Sequence, residues 1–329
     1  MRYRDFGNTG MKTSETGFGA WAIGGDAMIG QTAIGWGPAD DALSVKAIHA
    51  ALDAGIIFFD TADIYGLGHS ESLLGKTLQG NREVLIASKA GNVARNGQFT
   101  VDYSETHIIR ACEDSLRRLK RDHIDFYQLH TARSAHLEQG DCIQAMQTLQ
   151  QQGKIRYWGL SLNTFEPAPE AELMTDKQLG NGFQLVLNIL NQQTIPLIRT
   201  AQEKGYGIIA RMPLQFGLLT GKFDINNSFA DTDHRKNRVR PELVTAVHKA
   251  LIPVWELCDK YQCTRAQLAL RFVLSYPGVS VVIPGIRTPE QVRDNTGADF
   301  LLEESDIKMI EELGREKLNG IMDMIRELG

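Results

Sequence analysis

A closed (β/α)₈ barrel is the fold this sequence predicts, and three observations carry it. Eight short apolar runs rich in Val, Ile, Phe and Tyr recur along 329 residues, segments of helical periodicity separate them, and no domain boundary interrupts the series. Continuous rather than alternating hydrophobicity fits parallel strands covered on both faces, and a helix after each strand is the crossover that parallel pairing needs. Eight such units in one chain suit a closed barrel better than an open doubly wound sheet. GFGAWAIGG (17–25) is rich in glycine but lacks the strand, G-x-G-x-x-G, helix and distant acid of a dinucleotide-binding crossover. One barrel domain over 1–329 is therefore expected.

The elements follow in order. Residues 1–15 predict a short hairpin, turned at Asn8, Thr9 and Gly10, that closes the barrel bottom. The strands are TGFGAW (16–21), IIFFD (56–60), VLIASK (84–89), IDFYQLH (124–130), IRYWGLS (155–161), FQLVLN (183–188), GIIARM (207–212) and VSVVIP (279–284). Helices are expected at 40–55, where Leu43, Ala47, Ala50 and Ala51 share one side, and at 70–78, with Ser70 placed to cap it. Further helices fall at 104–119, 142–152, 170–175, 196–204, 242–261 and 264–275. The polar stretch 222–242, after strand seven, reads as a loop or lid at the carboxyl face, since a structureless run that long inside a domain is usually functional.

Composition narrows the partners. The net charge is -5 and the pI about 5.9, and RKNRVR (235–240) is the longest basic block, so neither nucleic acid nor an anionic membrane is an expected partner. MRYRDFGNTGMK carries no apolar leader core and no window approaches 18 apolar residues, which predicts a cytoplasmic protein. Cys112, Cys142, Cys258 and Cys263 match no zinc spacing and are read as reduced thiols, with no metal site.

In such a barrel the chemistry sits at the carboxyl ends of the strands. Strand two ends on Asp60, strand three on Lys89 and strand four on His130, while Tyr65 follows in a glycine-bent loop through Gly66 and Gly68. A phenol with a pKa near 10 donates a proton poorly at neutral pH unless its anion is stabilised. Lys89 supplies that stabilisation, Asp60 holds the ammonium, and His130 donates a hydrogen bond to a substrate oxygen. This set polarises and protonates a carbonyl but holds no nucleophile, so hydride must come from a nicotinamide cofactor. Ser161, Asn163 and Asn188 at strand ends five and six suit its carboxamide; Gly217, Gly221 and Lys222 suit the pyrophosphate; Gly285 and Arg287, ahead of a helix start at Thr288, suit a phosphate. A Schiff-base role for Lys89 is disfavoured by Asp60 beside it, which keeps the amine charged.

These pieces together resemble the aldo-keto reductases, NADPH-dependent barrel oxidoreductases. The resemblance rests on GFGAW (17–21), DAGIIFFDTADIYGLGHSE (53–71), ASK (87–89), DFYQLH (125–130), GKIRYWGLSLN (153–163), PLQFGLLTGK (213–222) and VIPGIRTPEQVRDN (282–295), in the family's order. It implies Asp60, Tyr65, Lys89 and His130 as the catalytic tetrad, with Tyr65 the general acid in reduction of a small carbonyl substrate. It implies cofactor contacts from Gly19 and Trp21, from Pro213, Leu214 and Leu219 in the loop after strand seven, and from Arg287, Gln291 and Asn295 at the adenosine end, the arginine favouring NADPH. Trp21, Met28 and Trp36 would wall the substrate pocket. Relatives that serve as potassium-channel subunits leave a non-catalytic NADPH sensor as the second reading. Three positions depart from the family's pattern: Leu162 separates Ser161 from Asn163, Asn188 replaces a glutamine, and Arg211 replaces an aromatic residue at the end of strand seven. The guanidinium of Arg211 either stacks by its flat face or anchors an anionic substrate.

Overall fold

Eight parallel strands hydrogen-bond in chain order into one sheet: Phe18–Gly19, Phe58–Asp60, Leu85–Ala90, Ile124–His130, Ile155–Ser161, Gly182–Val186, Gly207–Arg211 and Val281–Ile283. The computed structural model describes residues 1–224 and 226–328; Ile225 of the expected lid and Gly329 of the expected domain lie outside the described residues. The last strand returns to the first through Gly17 N–H to Val282 O at 2.8 Å and Gly19 N–H to Pro284 O at 3.0 Å, which closes the barrel. The expected (β/α)₈ architecture is the one observed.

Each strand is buried on both faces, which is why its sequence reads as a continuous apolar run. One apolar cluster fills the space between sheet and helices, and a second, smaller one fills the barrel floor. The floor is closed by the N-terminal hairpin, Tyr3–Asp5 against Lys12–Ser14, whose turn inserts the fully buried Phe6 beneath Phe58 and Phe126, ring centroids 6.3 and 4.8 Å away. Gly182 and Gly207 leave room for that ring, since a Cβ on either would run into it. The packed floor makes the barrel a platform with one open end.

Most crossovers lie where the sequence puts them, from Asp41–Asp53 to Arg265–Leu274. Two expectations need correction. The segment 242–261 is three helices, Pro241–Ala250, Ile252–Trp255 and Leu257–Tyr261, because Pro253 has no N–H to continue the first. Ser70 caps nothing: the helix starts at His69 after Gly68, and the Ser70 hydroxyl donates to Ala20 O at 3.0 Å. The structure adds a hairpin after strand three, Asn92–Arg95 with Gln98–Val101, and two C-terminal helices, Glu304–Lys317 and Asn319–Glu327. Within the expected lid, Asp233 bridges Gly35 and Trp36, so this segment docks on the loop after strand one at the open end.

Candidate active site

The register of strands two to four sets the corner where the polar residues meet. Asp60 stands opposite Ala87 and Lys89 opposite Gln128, so the ends of three adjacent strands converge. Lys89 is fully buried; its Nζ donates to Asp60 Oδ2 at 2.7 Å and to Thr61 O at 2.8 Å, and lies 3.1 Å from the Tyr65 hydroxyl. Tyr65 reaches it because the chain past Asp60 stays on the strand ladder, with Thr61 N–H bonded to Ala87 O and Asp63 N–H to Lys89 O. A tight turn through Gly66 and Leu67, both at positive φ, then carries the chain away. The His130 ring lies 6.0 Å from the Tyr65 ring, and the Trp21 ring packs edge-on against Tyr65 at 4.6 Å.

Burial sets the protonation states. It works to lower the Lys89 pKa, but Asp60 and Tyr65 outweigh it and the ammonium is held above its ordinary value. For Tyr65 the sequence expectation was a phenol pulled down by the ammonium; burial instead dominates and raises its pKa, with Lys89 only offsetting part of the effect. The phenol therefore keeps its proton at neutral pH and has a cation in place for the anion it leaves. Burial, aided by Lys89 and Arg211, pushes His130 well below the ordinary imidazole value, so the ring is neutral. Among the described residues its Nδ1 has no partner, although it is buried.

Two buried carboxamides escaped the sequence reading. Gln184 Nε2 donates to Asp60 Oδ1 at 2.7 Å and Gln128 Nε2 to the same oxygen at 3.3 Å, which leaves Oδ2 for the lysine. The signal was present for Gln128, which lies two positions before His130 and therefore on the same face of its strand, inside the barrel.

A cleft of about 540 Å³ opens over the tetrad. Of the expected cofactor and substrate residues, Gly19, Trp21, Ser161, Arg211, Pro213, Leu214, Gly217, Lys222, Gly285, Gln291, Asn295 and Trp36 line it. Others are engaged elsewhere. Asn163 Oδ1 accepts from Phe165 N–H and Glu166 N–H in its own turn. Asn188 is fully buried, donating to Met212 O and Gln215 Oε1 and accepting from Leu190 and Asn191 N–H. It braces a turn in which Met212, Gln215 and Phe216 all take positive φ. Leu219 lies in the core, Gly221 packs on Arg265, and Met28 is exposed outside the cleft wall. Arg287 donates to Ala22 O at 2.9 Å, Trp36 O at 2.6 Å and Gly37 O at 3.2 Å, tying down the loop after strand one. Gln291 closes the capping box of helix Pro289–Thr296 with Thr288, the helix start that the sequence predicts.

The cleft walls also hold residues the sequence reading left unassigned. Phe99 comes from the added hairpin, and Phe216, His234 and Arg238 from the chain after strand seven. The His234 Nε2 accepts from Trp36 Nε1 at 2.8 Å, which joins the two loops across the rim.

A family model described as Aldo/keto reductase family matches residues 15–315. Aldo-keto reductase YhdN of Bacillus subtilis (strain 168) is 31% identical over 308 residues, covering 89% of this chain and 87% of its own. Among solved structures, the glycerol dehydrogenase AKR11B4 from Gluconobacter oxydans matches with a TM-score of 0.80 at 27% identity, covering 96% of this chain and 95% of that one. The holo form of aldo-keto reductase AKR11C1 from Bacillus halodurans matches with a TM-score of 0.76 at 26% identity, covering 95% and 96%.

Proposed function

The chain belongs to the aldo/keto reductase family of oxidoreductases, and from that premise we propose that it reduces an aldehyde or ketone to the alcohol with NADPH, Tyr65 acting as proton donor. The observation that carries this reading is the Lys89 ammonium within hydrogen-bond reach of both Asp60 and the Tyr65 hydroxyl. No acid–base pair is needed for Tyr65 to begin protonated, because burial already keeps it so.

The residues fit the cofactor. Trp21 Nε1 and His130 Nδ1 are buried polar atoms on the cleft wall without partners among the described residues, and Ser161, Lys222, Gln291 and Asn295 line the same opening. Ser161 would hold the nicotinamide end, the loop Pro213–Lys222 the pyrophosphate, and Gln291 with Asn295 the adenosine end. When bound, the reduced nicotinamide supplies hydride to the carbonyl carbon. The neutral His130 donates to the carbonyl oxygen and orients it, Tyr65 passes its proton to that oxygen, and Lys89 stabilises the phenolate left behind. Gln128 and Gln184 keep Asp60 aimed so that the ammonium does not swing away. A cytoplasmic location belongs to the same reading; no helix among the described residues is long and apolar enough to cross a membrane.

The test is a fluorescence titration with NADPH and with NADH, followed by aldehydes in the same cuvette and the loss of reduced-nicotinamide absorbance. NADPH-preferring binding with turnover is the expected result. Tight binding without turnover of any carbonyl compound would replace the reductase with an NADPH sensor.

A further inference from the structure

The cleft is cationic in a chain of net charge -5. Its walls carry Lys222, Arg211, Arg235 and Arg238 against Asp60 and Asp294. Both carboxylates are engaged, Asp60 by Lys89 and the two glutamines, Asp294 by Thr264 at 2.9 Å with Lys222 nearby at 3.9 Å. Arg235 is neutralised by Asp233 at 2.6 Å. Arg211 and Arg238 are different: among the described residues neither forms an ion pair.

Arg211 is fixed rather than free. Its guanidinium donates to Leu162 O at 3.2 Å and Thr164 Oγ1 at 2.9 Å, both in the loop after strand five, and its buried Nε has no acceptor among the described residues. Arg238 is half-buried over the Phe216 ring at 5.4 Å, and Phe216 continues through His234 and Trp21 to Tyr65 in ring contacts of 5.1, 5.7 and 4.6 Å. Arg211 ends strand seven within electrostatic reach of Tyr65 and Asp60, and Arg238 is close enough to act on it. Taking a guanidinium out of water without an anion is costly, and a ligand that brings the anion recovers that energy.

We propose that Arg211 and Arg238 form the anion subsite of the substrate, so that the carbonyl compounds this protein prefers carry a carboxylate. The subsite rests on the reductase reading above. A carboxylate suits it because it has one oxygen for the Arg211 Nε–H and a second for the Arg238 guanidinium, and the aromatic walls at Trp21, Phe99 and Phe216 accept the apolar part of such a molecule.

The experiment compares 4-carboxybenzaldehyde with 4-methylbenzaldehyde, which match in shape and differ in charge. With NADPH, the carboxylate should have the higher kcat/KM by about tenfold or more, expressed in KM, the worth of one charge-assisted hydrogen bond. Arg238→Gln should bring the ratio close to one. Benzoate titrated into NADP⁺-loaded protein and followed by tryptophan fluorescence should bind, more weakly at high salt, and decides the matter alone if that variant does not fold. Equal kcat/KM for the two aldehydes in the unaltered protein overturns the anion subsite and leaves the reductase reading standing. Benzoate binding that NADP⁺ abolishes also overturns it, since the arginines would then serve cofactor phosphates. Turnover of neither aldehyde together with no benzoate binding overturns the subsite; the reductase reading falls only if no carbonyl compound is turned over.

Discussion

The two sides of the barrel rim are built on opposite plans. At the ends of strands two to four, Asp60, Lys89 and Tyr65 bond to one another, to two buried glutamines and, through Lys89, to the Thr61 carbonyl. At strands five to eight, Asn163 bonds to backbone groups of its own turn, while Asn188 and Arg287 bond to backbone groups of neighbouring loops, after strands seven and one. The first corner is a side-chain network anchored in sheet register, and the second is a set of braced loops whose remaining faces form a cleft. A network of the first kind tolerates no missing member, because each leaves a buried partner unsatisfied. A braced loop absorbs a change locally.

Substitutions can break that contrast, beginning with the largest effects. On the reductase reading, Tyr65→Phe removes the proton donor and Lys89→Met the cation beside it, and each should lower kcat for aldehyde reduction by about 10²–10⁴-fold; Lys89→Met also leaves the buried Asp60 carboxylate without its ion-pair partner. NADPH affinity, read by fluorescence titration, should hold in Tyr65→Phe; a parallel loss would make Tyr65 part of the scaffold. Next comes Gln184→Leu, which leaves Asp60 Oδ1 with the longer bond from Gln128 alone. A loss of about 1–3 kcal/mol in denaturant-measured stability, with a fall in kcat, is expected. An unchanged enzyme would show that the lysine alone orients Asp60.

Arg287→Ala probes the other plan. Removing it frees the carbonyls of Ala22, Trp36 and Gly37, and it should weaken NADPH by about tenfold relative to NADH if the guanidinium also meets the 2'-phosphate. Equal losses for the two cofactors would assign Arg287 to the loop alone, and would sharpen the contrast between the two corners.

Near neutral pH the smallest effect is a pH dependence. Burial lowers His130 well below the ordinary imidazole value and pushes His234 down to about 4, so between folded and unfolded pKa values the unfolded chain binds more protons. Their contribution to stability is complete above about 6.5 and is lost progressively as pH falls toward 4, as a thermal-melt series across that range would record. His234→Asn should flatten the lower part of the curve; a profile identical to the unaltered protein would put the dependence on other groups.

How much of this was legible follows from the kind of interaction involved. Strands four and five run from Ile124 to His130 and from Ile155 to Ser161 as read, because a strand covered on both faces advertises itself as an apolar run and its last residue is the first free to be polar. The hairpin at Asn92–Val101 was passed over for want of such a run, although Asn96 and Gly97, both at positive φ, are the turn pair that marks it. Phe99 and its place on the cleft went with it.

By itself the sequence determined the barrel, its order of strands, and the acid, ammonium and imidazole that three of them deliver to one rim. Those depend on hydrophobic periodicity and on which polar residue ends each apolar run, which are local properties of the chain. Only the tertiary structure decided that Gln128 and Gln184 aim Asp60, that Asn188 and Arg287 brace loops, that burial outweighs the lysine in setting Tyr65, and that Arg211 and Arg238 face the cleft without an acid. Each depends on which groups lie within about 3 Å of one another and on how much water is left between them, and neither is written in the order of residues.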